Sequence, residues 1–260
     1  MKFQIPLAPG AVTQFLLRVV TCLVLLYVLT QMSLHFLPKA KWVDFFTEAF
    51  NLDGEKNIPT LYSCLALLFS SFLLGAIAYA KNLDSDRYKN HWKILSFIFL
   101  FLSLDEAASL HEMLIEPMRG LLNATGVFYF TWIVPIGFLV AIFLFSYIKF
   151  VLHLPVSTKK LFVAAGALYI GGAMGMEMIG GYIGYRGEWG LPYMIEVTIE
   201  ESLEMLGIVV FIHGLISYIK TSLGGVSWNI YIPGKNSPVT EDQNIGLPAL
   251  SEPANTNLFR

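Results

Sequence analysis

An all-α membrane bundle of about six transmembrane helices, both termini cytoplasmic, is the fold class that three observations predict. The 260 residues are 55% hydrophobic and 14% charged, with mean hydropathy +0.61, whereas soluble domains carry roughly a quarter charged residues. The apolar residues gather in runs near the roughly 20 residues that cross a bilayer as a helix. Lys and Arg gather in alternate connections: the amino end with Arg18 of the first span, the 81–93 loop, the 149–160 loop and the tail hold 12 of the 17. That bias places those segments on the cytoplasmic side. The net charge of −2 says little, because the charges are segregated by segment.

Residues 1–10 are a short polar leader with Lys2 and two prolines. The first apolar run, 11–37, exceeds a signal-peptide core and lacks an A-x-A-like cleavage site, so it reads as a retained span. The connection 38–59 contains DFFTEAF, the pattern of an amphipathic helix lying on the membrane surface, ended by Asp53-Gly54 and placed to act as a lid. Spans at 60–80, 94–115, 128–147, 161–185 and 193–219 follow, the third halted by Pro117, since proline ends helices. Residues 1–219 thus form the bundle. Residues 220–260, rich in Pro, Asn, Ser and Gly, read as a disordered cytoplasmic tail. Cys22 and Cys64 lie in apolar segments and offer neither a disulfide framework nor a zinc-finger spacing.

Acids interrupt three of these spans. FLSLDEAASLHEMLIE carries Asp105, Glu106, His111, Glu112 and Glu116; GGAMGMEMIGGYIG carries Glu177; YMIEVTIEESLEMLG carries Glu196, Glu200, Glu201 and Glu204. An ionisable group inside a span costs several kcal/mol unless it is paired, protonated or bound to an ion, and it marks a functional site by default. The predicted topology puts the acids of spans three, five and six at matching depths in the outer half of the membrane. On a continuous helix, Asp105, Ser109, Glu112 and Glu116 fall on one stripe, and Glu196, Glu200 and Glu204 on another. Two such stripes with Glu177 between them predict a carboxylate-lined cavity that opens outward.

So many carboxylates cannot all stay ionised in a low dielectric: some must be protonated, or cations must neutralise them. Carboxylate oxygen and imidazole nitrogen suit iron, manganese or zinc. Helical bundles hold such metals with inward Glu and Glu-x-x-His pairs; here Glu106 and His111 are five apart, which departs from that pattern. Glu106, His111, Glu112, Glu177, Glu200 and Glu204 are the candidate ligands of a divalent metal. Asp105 and Glu201 are the candidate catalytic groups, orienting a ligand or moving protons. Glu116, Glu188 and Glu196 sit near the outer interface and read as solvated. His213 reads as a packed histidine, His35, His91 and His153 as interfacial, Arg186 as a counter-charge at the cavity mouth, and Trp189 with Tyr193 as an interfacial belt. Gly171 with Gly175, and Gly180 with Gly184, have the small-xxx-small spacing of close helix packing.

The runs FNLDGEKNIPT, SLDEAASLHE and IEVTIEESLEMLG resemble blocks of uncharacterised bacterial polytopic membrane proteins. That resemblance implies a six-helix protein of the bacterial inner membrane and no particular activity. The residues themselves lead to a metal-dependent membrane enzyme acting on a lipid or other hydrophobic substrate. The rival readings are a proton- or cation-coupled transporter and an accessory subunit of a membrane complex. The lipid bilayer is the expected partner; no nucleic-acid surface is visible, and the oligomeric state is left open.

Overall fold

The computed structural model describes residues 8–36 and 40–224, so most of the tail assigned to 220–260 lies outside the described residues. Among the described residues every regular element is helical. Helix α1 spans Pro9–Phe36, α2 Lys41–Ala49, α3 Ile58–Leu83 and α4 Lys89–Ala108. A 3-10 turn at Glu112–Leu114 leads into α5, Ile115–Leu122, and another at Gly126–Phe128 precedes α6, Ile133–His153. Helix α7, Val156–Ile170, runs through a π-helical segment, Gly171–Met176, into α8, Glu177–Tyr185; α9 is Leu191–Ser222.

Five helices are long and apolar enough to cross a membrane: α1, α3, α6, the continuous α7–α8 unit and α9. Taken together, α4 and Glu112–Leu122 are also long and apolar enough, but they are bent by 74° at their break. Five such helices, or six with the bent pair, agree with the helical bundle of about six spans that hydropathy predicts. Two helices form its centre. In α3 and α9, 56% of the spanning window is buried, against 17% in α1, α6 and α7–α8. The latter three therefore turn most of their apolar surface outward, as lipid-facing helices do.

The core explains this ranking. One cluster joins Leu74 and Ile77 of α3, Trp92 of α4, Phe150 of α6, Phe162 of α7 and Ile212 with Leu215 of α9. A second sets Val20, Leu23 and Tyr27 of α1 on Val197, Met205 and Val209 of α9, with Leu52 from the connection between α2 and α3. Glycines bring backbones close. A Cβ on Gly207 would lie 2.8 Å from the Tyr169 nitrogen, and one on Gly172 would lie 2.8 Å from the Glu200 carbonyl oxygen. On the α7–α8 unit the close approaches belong to Gly172, Gly180 and Gly184, whereas Gly171 and Gly175 face open space.

The third span departs from the sequence reading. Pro117 does not halt it: Pro117 lies in the first turn of α5, where a helix needs no N–H from it. The stop is at Ser109, which is left-handed (φ 55°, ψ 42°) and donates its N–H to the Asp105 carbonyl at 2.7 Å. The single stripe through Asp105, Ser109, Glu112 and Glu116 therefore does not exist. Asp105 closes the break with its side chain, Oδ1 accepting the His111 N–H at 2.9 Å.

Candidate functional site

The same break that destroys the stripe builds the site. It ends α4 just after Asp105 and Glu106 and swings His111 and Glu112 across the end of the bundle. The π segment lies opposite, and its extra residue per turn delivers Glu177 at the start of α8. Such π insertions recur at functional positions. Helix α9 contributes Glu200, Glu201 and Glu204 from one face.

These elements enclose a cavity of about 470 Å³. All eight residues singled out from sequence line it: Asp105, Glu106, His111, Glu112, Glu177, Glu200, Glu201 and Glu204. The carboxylates of the three interrupted spans thus do converge. Asp53 and Glu55 also line it, bringing the carboxyl groups to nine, while no Lys or Arg is among the described lining residues.

Asp53 and Glu55 come from the connection between α2 and α3, which sequence reading treated as the end of a surface helix. Helix α2 in fact ends at Ala49, and the turn that follows is a separate device. Asn57 staples it: Nδ2 donates to the Asn51 and Gly54 carbonyls at 2.6 and 2.7 Å, and Oδ1 accepts the Thr60 N–H at 3.1 Å, capping α3. Gly54 has no room for a side chain, since a Cβ would lie 2.9 Å from Asn51 Nδ2. So tied, the turn brings Asp53 and Glu55 into the cavity lining. Tyr193, expected in an interfacial belt, instead lines the cavity and donates to Asp53 Oδ1 at 2.9 Å. The signal for both acids was present in FNLDGEKNIP, where two acids share a Gly- and Asn-rich turn beside a span; local pattern alone does not say which way such a turn folds.

Glu55, His111 and Glu112 are the residues that come together as a ligand set, each offering an atom within 4.8 Å of the others. First-row cations bind nitrogen and oxygen at about 2.0–2.2 Å, so small side-chain rotations suffice for one ion to reach all three. Asp105 orients the histidine, its Oδ2 lying 3.0 Å from His111 Nδ1. With the proton on Nδ1 donated to Asp105, Nε2 is left free to bind a metal or accept a proton. Trp132, just ahead of α6, packs at a tilt of 59° against the His111 ring with centroids 5.0 Å apart and donates Nε1–H to Glu177 Oε1 at 3.2 Å. Glu106, Glu177, Glu200 and Glu204 line the cavity outside that three-residue set.

The electrostatics of this turn follow first from burial and then from neighbouring charge. Desolvation pushes the Glu55 carboxyl above its ordinary range, and Glu112 adds to the effect while His111 opposes it. Asp53 is also raised, by desolvation first, then held back by the Tyr193 hydrogen bond, with Glu177 and Glu112 raising it further.

Other expectations resolve individually. Glu116 and Glu188 are on the surface, paired with Arg119 at 2.7 Å and Arg186 at 2.9 Å. Arg186 is therefore engaged outside the cavity and is not its counter-charge. Glu196 is not solvated: it is 3% exposed, with neither carboxyl oxygen hydrogen-bonded. Gly180 makes the space for it, because a Cβ there would lie 2.7 Å from Glu196 Oε2. His213 is the packed histidine expected, bonded to Thr13 at 2.7 Å. His91 is not simply interfacial; its ring packs against Tyr147 and Phe150.

Residues 16–219 match the family described as a domain of unknown function, DUF8692. No curated protein and no solved structure matches the chain.

Proposed function

The chain belongs to the DUF8692 family, a domain of unknown function, and since that membership carries no chemistry, we propose the function from the site: a membrane-embedded, metal-dependent enzyme for a lipid or other hydrophobic substrate. One observation carries the reading. Nine carboxyl groups and one histidine line a single cavity with no Lys or Arg among the described lining residues. Such a wall is costly unless protons or cations neutralise it.

Glu55, His111 and Glu112 are the primary ligands in this proposal, with Asp105 positioning His111. The ligand chemistry suits manganese, iron or zinc. A metal so held would polarise a substrate or activate water. In this reading Glu201 and Glu106, which line the same cavity, take or return the proton, and Glu177, Glu200 and Glu204 complete the acidic wall. The Lys and Arg bias supports an outward-facing mouth, both termini in the cytoplasm, in a plasma membrane that the sequence resemblance suggests is bacterial.

The experiment is elemental analysis of detergent-purified protein, wild type beside Glu55→Gln, His111→Ala and Glu112→Gln. Near-stoichiometric metal lost in all three variants supports the proposal; wild type that takes up no metal refutes it. A second reading, a cation- or proton-coupled transporter, draws on the 74° break between α4 and Glu112–Leu122 and on the π segment. Interrupted helices of this kind line ion sites in transporters. Potential-driven cation flux in proteoliposomes, abolished by Glu200→Gln, would favour it.

A further inference from the structure

Helix α2 has three faces. At about 3.6 residues per turn, Val43, Thr47 and Phe50 fall in one sector, Lys41, Asp44 and Glu48 in a second, and Trp42, Phe45, Phe46 and Ala49 in a third, with sector centres about 120° apart. The first sector packs on the bundle: Val43 is buried, the Thr47 hydroxyl is shielded from solvent, and Phe50 joins the cluster shared by α1 and α9. The second is charged and exposed. The third is apolar and also exposed, with Trp42, Phe45 and Phe46 at 58%, 65% and 48% exposure. A surface helix between protein and water needs only an inner face and a polar one. The third face requires a third surrounding.

The place of α2 in the fold identifies it. Helix α2 connects the end of α1 at Phe36 with the start of α3 at Ile58, and both neighbours are long and apolar enough to cross a membrane. It packs on α1, at the end of the bundle that these two helices share. Three charged residues in nine keep its second face out of hydrocarbon. The layer between acyl chains and water meets both demands; tryptophan is enriched there, and surface helices seat an apolar face in it. A protein partner is a poorer fit. At about 150–250 Å² for a whole aromatic side chain, the exposed parts of the three rings offer about 250–430 Å². Each side of a stable protein interface buries about 800 Å².

We propose that α2 is an anchor in the bilayer interface, and that the lipid surface is the partner that holds the 51–57 turn, and with it Glu55, at the cavity. Trp42, Phe45 and Phe46 seat among lipid chains just below the head groups, while Lys41, Asp44 and Glu48 face water. The linkage to the site is short. Phe46 stacks on Phe50 with centroids 6.4 Å apart. The helix ends at Ala49, and Asn57 then ties the Asn51 and Gly54 carbonyls into the one turn that carries Glu55. Moving α2 therefore moves Glu55, although α2 itself contributes nothing to the cavity lining. Seated in lipid, the helix is a fixed strut. This inference deepens the proposed function by naming the lipid surface as what positions Glu55; it rests on that reading for the ligand role of Glu55 alone.

The test uses the full chain in phosphatidylcholine nanodiscs with EDTA present, so that no metal contributes. The lipid is brominated either near the head group or near the chain end, and Trp42 emission is read as the difference between wild type and Trp42→Phe. Quenching by the shallow label is expected to exceed quenching by the deep one at least about threefold. Hydrogen exchange of the 51–57 amides is expected to quicken about tenfold in Trp42→Ser/Phe45→Ser/Phe46→Ser. It should stay unchanged in Lys41→Ser/Glu48→Ser, which alters the charged face alone. Trp42 quenched by neither label, or more by the deep one, overturns the anchor with wild-type protein alone, whatever the triple variant does. Unchanged exchange in a folded triple variant overturns the hold on Glu55. Metal uptake by the same preparations, with EDTA removed, separates the two readings. Intact uptake with Trp42 unquenched sinks only the anchor. Shallow quenching and a protected turn without metal uptake sink only the metal enzyme.

Discussion

Replacing Asp105 by Asn probes how the broken span serves the site. The carboxylate makes two bonds across the break, from Oδ1 to the His111 N–H at 2.9 Å and from Oδ2 to His111 Nδ1 at 3.0 Å. Asparagine retains one carbonyl oxygen for the backbone N–H but turns an NH2 donor toward the imidazole. His111 must then keep Nδ1 bare and carry its proton on Nε2, the nitrogen required for a metal. Loss of such an outer partner typically lowers metal affinity about 10- to 100-fold, equivalent to about 1.4–2.7 kcal/mol. Folding should suffer less, since the backbone contact survives and only one charge-assisted bond weakens, worth about 1.5–3 kcal/mol before solvent screening of a partly exposed pair. Asp105→Ala, which also uncovers the His111 N–H, is expected to melt lower than Asp105→Asn by about 1 kcal/mol. The assay is competition of Mn2+ or Zn2+ against a chromophoric chelator, with Glu116→Gln as the exposed control. Affinity in Asp105→Asn equal to wild type would refute the orienting role. A drop as large in Glu116→Gln would show that the assay reads general acidity instead.

Three further outcomes are expected. Gly180→Ala places a Cβ 2.7 Å from Glu196 Oε2 and 2.9 Å from its Cδ, so it should destabilise by about 1–3 kcal/mol; most of that loss should return in Gly180→Ala/Glu196→Ala, as thermal melts of the pair would reveal. Asn57→Ala removes the staple that holds the 51–57 turn and should cost about 1–2 kcal/mol of stability through the lost α3 cap, together with weaker metal uptake through a displaced Glu55. Glu55 and Asp53 are both raised in the folded state, so the folded protein holds protons that the unfolded chain has released. In EDTA their contribution to stability is greatest below about pH 4, the unfolded carboxyl range, and is lost as pH rises through the folded values. Metal binding runs the other way and tightens as pH rises, because the ion competes with the same protons. Melting scans and metal titrations across that range check both slopes.

Hydropathy and the placement of acids made the bundle and much of the candidate site legible. The spans expected at 60–80 and 193–219 appear as Ile58–Leu83 and Leu191–Ser222, because span length is set by local apolar content against a fixed bilayer thickness. Glu177 and the α9 glutamates were conspicuous for the same reason: a charge inside an apolar run is expensive wherever the helices pack. Glu112 lines the cavity for a different reason than a continuous helical stripe, because the helix breaks at Ser109.

By itself, then, the sequence determined a helical bundle, which segments are long and apolar enough to cross a membrane, and that acids inside three of them require neutralisation. Only the tertiary structure decided that Glu55 joins His111 and Glu112, that Asp105 closes a break and aims an imidazole, and that Glu196 is buried against Gly180. The physical reason is range. Hydropathy and helical period act over one or two turns, whereas a turn folded back over the bundle, or a glycine that admits a carboxyl from another helix, depends on contacts between residues far apart in the chain.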